Sequence, residues 1–194
     1  DELHQFLDRS DTERLREAST APRSARLGLL IGDQRWLVDL AEAGEIVPLP
    51  SGITTVPLTR DWFRGLVNLR GSLFGVSDLL RFSSDASTPV TKESRRLAFS
   101  SSLKVNAALL VTRMLGLHDA SAWRHAPERQ HWAPWAGRCL VDDDGREWFE
   151  LSLSRLAADE RFLTVSRVSR AARVPPLRGR HRDDDGSLPP EPRT

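Results

Sequence analysis

The stretch Ile53–Phe82, ITTVPLTRDWFRGLVNLRGSLFGVSDLLRF, decides the fold. Pro57 stops the segment before it, because a proline cannot donate to a ladder. Thr59–Phe63 reads as the start of a short helical turn after that proline. Trp62 and Phe63 then supply apolar bulk, and Trp62 reads as a core anchor, since an indole at such a site buries most of its area. Gly65–Leu69 and Ser72–Leu79 read as two strands around Arg70-Gly71. Asn68 and Arg70 alternate with Val67 and Leu69, so one face is polar and the other apolar. Gly71 suits a turn with positive φ. Gly65 falls where a small residue permits close backbone approach. Both glycines read first as structural. Asp78 opens a short turn toward Phe82. An Arg two residues from an Asn on one strand face is also suited to hold a carboxylate. The bland alternative is an exposed sheet edge with scattered polar side chains.

Outward from this segment the chain keeps the same rhythm. Leu27–Ile31 and Trp36–Leu40 flank Gly32-Asp33-Gln34 and read as a hairpin. Glu45–Val47 is a short strand stopped by Pro48 and Pro50. Arg96–Ser100 and Val105–Val111 form another pair. Gly137–Asp142 and Glu147–Leu151 flank Asp143-Asp144-Gly145, a strong hairpin signal. Ser154–Ala158 reads as one helical turn capped by Ser152 or Ser154. Phe162–Val165 reads as a last short strand. Many short strands at regular spacing predict an all-β chain, as barrels or a sandwich.

Three regions follow: an extension over residues 1–24, a folded domain over 25–166, and a tail over 167–194. The formal net charge of +1 over 194 residues hides a gradient. Residues 1–17 carry six acids against three Arg, and residues 167–194 carry seven Arg against four acids. Leu3, Phe6, Leu7 and Leu15 make residues 2–17 helix-compatible, with a thin apolar face. The tail, with five prolines between Pro175 and Pro192, has the composition of a disordered segment. Its six Arg from Arg167 to Arg182 allow a second reading, a nucleic-acid-binding β-barrel protein that uses this tail. Asp183-Asp184-Asp185 partly neutralises that patch, and no aromatic interleaves to stack on bases. No apolar run reaches the roughly 18 residues of a membrane span. No secretory signal pattern is visible.

The search for chemistry excludes most enzyme classes. The sequence has no phosphate-cradling loop and no nucleophile elbow. One cysteine, Cys139, rules out an internal disulfide, and its place in an apolar strand reads as a small buried hydrophobe. His118, His125 and His131 are spaced too widely for a zinc site. Asp142–Gly145 has contiguous acids rather than the alternating acids of a calcium loop, so it reads as a turn. The residues alone offer no catalytic constellation and no cofactor or metal site, which leaves open an enzyme with an unrecognised site. Trp123, Trp132 and Trp135 fall in a Trp- and Pro-rich loop, Ala120–Trp135, which reads as the cap of a core.

Taken together, the motifs resemble a known family. Val56-Pro57-x-Thr59, Trp62-x-x-Gly65, Asn68-Leu69-Arg70-Gly71 and Asp78-Leu79 resemble the CheW-like domain. Gly32-Asp33-x-x-Trp36-Leu37-Val38-Asp39-Leu40, Gly44-Glu45-Ile46 and Leu110-Val111-x-x-Met114-Leu115-Gly116-Leu117 extend the match. Trp62 and the ending Trp148-x-x-Leu151-Ser152-Leu153-x-x-Leu156-Ala157 resemble the subgroup that serves type IV pili. The resemblance covers roughly residues 26–166. It implies a pair of small five-stranded β-barrels around a shared core, with short helical turns. It also implies a non-catalytic adaptor between the signalling tip of a methyl-accepting chemoreceptor and the regulatory domain of a CheA-type histidine kinase. Nucleic acid is not an implied partner, and membrane association would be indirect, through receptor arrays. By position, Ala43, Glu45, Gly65 and Arg70 would face the receptor. Pro57, Trp62, Asn68, Gly71 and Asp78 would be motif or structural residues. Ala43 stands where the family often carries a larger aliphatic. Arg70 suits two roles, a salt bridge within the domain or a reach to a receptor carboxylate.

Overall fold

A computed structural model describes residues 25–49, 52–127 and 133–166. The expectations for 1–24, for the Arg-rich tail and for His131 and Trp132 lie outside the described residues. Eleven strands are described: β1 (Ala25–Ile31), β2 (Gln34–Asp39), β3 (Ala43–Pro48), β4 (Phe63–Leu69), β5 (Ser72–Ser77), β6 (Arg95–Phe99), β7 (Ala107–Val111), β8 (Arg113–Asp119), β9 (Arg124–His125), β10 (Ala136–Val141) and β11 (Glu147–Leu151). Three short helices, α1 (Leu79–Ser83), α2 (Leu153–Ala157) and α3 (Glu160–Leu163), and one 3₁₀ turn at Ser101–Leu103 complete the described elements.

The strands form two sheets, in the orders β3-β6-β7-β5-β4 and β8-β1-β2-β11-β10-β9. The chain is all-β, as its punctuation predicts. The first sheet has the expected five strands. The second has six, because the two-residue β9 adds to the edge of β10. The N-terminal hairpin does not stay with its sequence neighbours. β2 pairs in parallel with β11, Trp36 opposite Phe149, and β1 pairs with β8.

Both sheets curl. β8 and β9 are the outer strands of their sheet, yet only residues 120–123 connect them. Five flat inter-strand steps would span about 24 Å, whereas five extended Cα steps reach at most about 18 Å. The outer strands must therefore approach each other. In the five-stranded sheet the outer strands β3 and β4 also meet, where Arg70, just past β4, pairs with Glu45 on β3 at 3.1 Å.

Curling divides the interior into three apolar clusters. The largest lies between the sheets and combines Leu27, Leu29, Trp36 and Val38 with Leu97, Phe99, Leu109 and Val111. A second lies inside the five-stranded sheet, around Val67, Leu69, Val76, Ala98 and Ala108. The third lies inside the other sheet, around Leu37, Leu140 and Trp148, with Trp123 packed on it. The central strand β7 is buried at every position, which is why it reads as a continuous apolar run rather than an alternating one. Each fully buried aliphatic side chain contributes about 1.5–3 kcal/mol. The Trp loop divides as a cap should. Trp135 enters the shared cluster, and Trp123 covers the third one beside Trp148, at a centroid distance of 5.4 Å.

Three sequence expectations change. Thr59–Phe63 is not the start of a helix; a single hydrogen-bonded turn closes from the Phe63 N–H to the Arg60 carbonyl at 3.1 Å, and β4 begins at once. The strand read over Ser72–Leu79 ends at Ser77, because the Asp78 carboxylate caps α1 by accepting from the Arg81 N–H at 3.2 Å. Phe162–Val165 is not a strand. Asp159 caps a helical turn there, accepting from the Arg161 N–H at 2.9 Å, and Phe162 turns inward to stack on Trp62 at 5.7 Å.

Directions along the five-stranded sheet define two ends. β3, β5 and β7 run one way, and β4 and β6 run the other. Ala43, the start of β7 and the Arg70-Gly71 turn therefore share one end. The segment before Phe63, together with Asp78 and α1, lies at the opposite end.

Two buried carboxylates hold connections at their places, and each yields a test. Asp78 is fully buried; besides capping α1 it accepts from the Thr88 N–H at 3.0 Å and the Thr88 hydroxyl at 2.6 Å. Asp78→Ala strands these donors and should cost about 2–4 kcal/mol in urea unfolding. A loss below about 0.5 kcal/mol, within the ordinary surface range, would show that the tether is dispensable. In the β10–β11 turn, Asp142 accepts from the Trp148 indole at 2.9 Å and from the N–H groups of Arg146 and Asp144. Burial pushes its carboxyl up, but these donors and the Arg146 charge outweigh burial and hold it below the ordinary range. For Glu150, Arg138 likewise outweighs burial. Such stability is fully present above the unfolded carboxyl range near about pH 4 and is lost as pH falls through the lower folded values. Asp142→Asn should give a shallower acid limb of stability between about pH 5 and pH 2. An unchanged slope would refute this account.

Candidate functional site

The Arg70-Gly71 connection gathers most of the residues singled out in the sequence. The φ values are +51 at Arg70 and +86 at Gly71. Two central residues with positive φ match the twist of the flanking strands, as in a type I′ hairpin turn. Gly71 adopts this region freely, whereas Arg70 does so at a steric cost. Asn68 offsets part of that cost: its side-chain oxygen accepts the Gly71 N–H at 2.8 Å. Asn68 is thereby committed to the turn. Arg70 lies beyond the end of β4 rather than beside Asn68 on a strand face, so the two do not form a joint carboxylate clasp.

Freed from the strand, the Arg70 guanidinium reaches across the curled sheet. Its Nε lies 3.1 Å from Glu45 Oε2, with side-chain exposures of 84% and 39%. This is a solvent-screened pair, worth about 0–1 kcal/mol. Exposure leaves much of the guanidinium available to another acceptor. Of the two roles the sequence left open, the salt bridge within the domain is formed in the free chain, and the exposed remainder of the fork stays open to the other. Ala43 opens β3 at the same end, opposite Phe99, and is half-buried.

Gly65 stands apart from these three. It is buried within β4 at φ +132, and a Cβ built there would fall 2.3 Å from the Thr54 carbonyl oxygen. Thr54 and Leu66 exchange two backbone hydrogen bonds of 2.8 Å across this contact. The glycine therefore lets the incoming chain cover β4 closely, a local demand of the backbone. Trp62 is 7% exposed and packs edge-on to Phe82 and flat on Phe162, as its reading as a core anchor requires. Pro57 is exposed in the turn that precedes it.

Sequence reasoning missed a link at the same end as Arg70. Glu42, between β2 and β3, accepts the Leu153 N–H at 2.7 Å and a hydroxyl hydrogen from Ser154. It ties the crossover between sheets to the start of α2. The signal available was an acid facing a helix N-terminus, but the partner lies 111 residues away.

A cleft at the opposite end has a volume of about 580 Å³ and is lined by Trp62, Phe82, Trp135, Arg60, Glu160 and Arg161. Arg161 is paired with Asp159 at 2.8 Å. Among the described residues no three His, Cys, Asp or Glu side chains gather as a metal site. No helix among them is long and apolar enough to cross a membrane.

Comparison with known proteins agrees with this geometry. Protein PilI from Pseudomonas aeruginosa is 30% identical over 91 residues, which is 47% of this chain and 50% of that protein. The chain thus spans half the length of this curated relative. The crystal structure of scaffolding protein TtCheW from Thermoanaerobacter tengcongensis superposes with a TM-score of 0.58 at 20% identity, covering 69% of this chain and 86% of that one. It shares the fold of two curled sheets. The sequence profile of the CheW-like domain matches residues 27–161, most of the described body, and the chain belongs to the CheW-like domain family.

Proposed function

We propose that this chain is a non-catalytic adaptor that couples the signalling tip of a methyl-accepting chemoreceptor to the regulatory domain of a CheA-type histidine kinase. The similarity to Protein PilI supports a pathway that controls type IV pili and twitching motility. The chain would act in the cytoplasm, at receptor arrays, reaching the membrane only through the receptor. The observation that carries this reading is the exposed Glu45–Arg70 pair beside Ala43, at one end of the curled five-stranded sheet. An acid and a base held face to face in solvent are weakly committed to each other. Either can exchange its partner for a receptor side chain of opposite charge. Gly65 would act here by shaping the backbone of β4.

Arg70→Glu tests the reading. Exposure at 84% means that the fold does not depend on this side chain, so the melting temperature should stay within about 2 °C. Binding to a purified receptor signalling tip should fall about tenfold or more, because the new carboxylate faces Glu45 and repels receptor acids. Binding to a kinase regulatory fragment should stay unchanged. Unfolding of the variant would assign Arg70 a structural role, and failure of the wild-type chain to bind either protein at tens of micromolar would refute the adaptor reading.

A further inference from the structure

Leu58 is the residue that the family motif passes over, between Pro57 and Thr59. It is 70% exposed, the most exposed large apolar side chain among the described residues. Its φ is +59, in the left-handed region. Neither property serves the fold. The backbone conformation is strained for a residue with a Cβ, and the side chain gains almost no burial in return. Asn or Gly at this position would relieve the strain.

The surroundings impose this conformation. The Thr59 hydroxyl donates to the Val56 carbonyl at 2.9 Å, closing the turn over Leu58. The Arg60 N–H donates to the Val165 carbonyl at 2.7 Å, and Thr59 bridges Ser166. The leucine is thus displayed on a loop pinned on both sides. A preorganised apolar knob loses little entropy on binding, and strain kept at an exposed site points to a contact made elsewhere.

Charge and position narrow the occupant. Arg60 and Arg64, close by in sequence, are both exposed. The complementary surface is an apolar pocket rimmed by carboxylates. This loop leads into β4 at the end opposite Ala43, Glu45 and Arg70. A coupler must hold two proteins at once, so its second surface must not overlap the first.

We infer that Leu58 is the apolar anchor by which the kinase regulatory domain docks, with Arg60 and Arg64 meeting acidic residues on its rim. The inference rests on the adaptor reading. The full chain and its Leu58→Asn variant should be titrated against a purified kinase regulatory fragment and, separately, against a receptor signalling tip. Leu58→Asn should weaken kinase binding by about tenfold or more, the scale of a lost buried leucine anchor. It should leave receptor binding unchanged and keep or raise the melting temperature. Wild-type kinase binding should weaken with added salt. Leu58→Met, which keeps an apolar knob, should retain most of the affinity. Three outcomes overturn the inference: kinase binding unchanged in Leu58→Asn, receptor binding lost instead, or a destabilised fold that shows the leucine packs. If the wild-type chain binds both partners and Leu58→Asn is neutral, only this inference falls. If the wild-type chain binds neither, the adaptor reading falls with it.

Discussion

The structure depends on one constraint: two sheets, each too curled to bury its strands alone, must share a core. β2 shows how it works. Trp36 and Val38 point into the cluster between the sheets, and Leu37 points into the cluster inside its own sheet. β6 and β7 do the same from the other side, with large residues toward the shared cluster and Ala98 and Ala108 toward the narrow interior. A curled sheet has room for small side chains on its concave face and for bulky ones where two sheets meet. Aromatic contacts fill the gap that remains. Trp36 touches Trp135 and Phe149, and Phe162 stacks between Trp62 and Phe99.

Most strands were legible in the sequence, because their limits are set by local chemistry. Gly32-Asp33, Arg70-Gly71 and Asp143-Asp144-Gly145 each mark a turn through residues whose backbone or side chain favours it. α2 was legible from its Ser cap. α3 was not, since four residues are too few for a helical period and the apolar Phe162 and Val165 fit a strand equally well. Asp159 was the available cap signal. Partners joined by a turn were legible, as in β1–β2, β4–β5, β6–β7 and β10–β11, but partners distant in sequence were not. Nothing in Gln34–Asp39 names Glu147–Leu151 as its neighbour, because that choice is made by the packed whole.

The candidate site divides in the same way. Gly71 and Asn68 carry their roles in their chemistry, one tolerating positive φ and the other accepting a nearby N–H. Gly65 was read as a site of close approach, but the approaching group, the Thr54 carbonyl, required the fold. Arg70 drew attention as a partner of Asn68, and its real neighbour is Glu45 on β3, at the far edge of the sheet and four ladders from β4. Leu58 carried no signal, since a leucine in a loop looks ordinary until its backbone angle and exposure are known.

The parallel pairing of β2 with β11 has a further consequence for how this protein comes to exist in a cell. The first hairpin leaves the ribosome early, yet the strand that completes its sheet lies more than 100 residues downstream. Long-range pairing of this kind slows folding, because loop closure precedes any gain from contact. Until synthesis reaches Leu151, the edge of β2 that pairs with β11 has no partner. During translation the chain therefore exposes an unpaired strand edge, and at that stage it has most need of a chaperone.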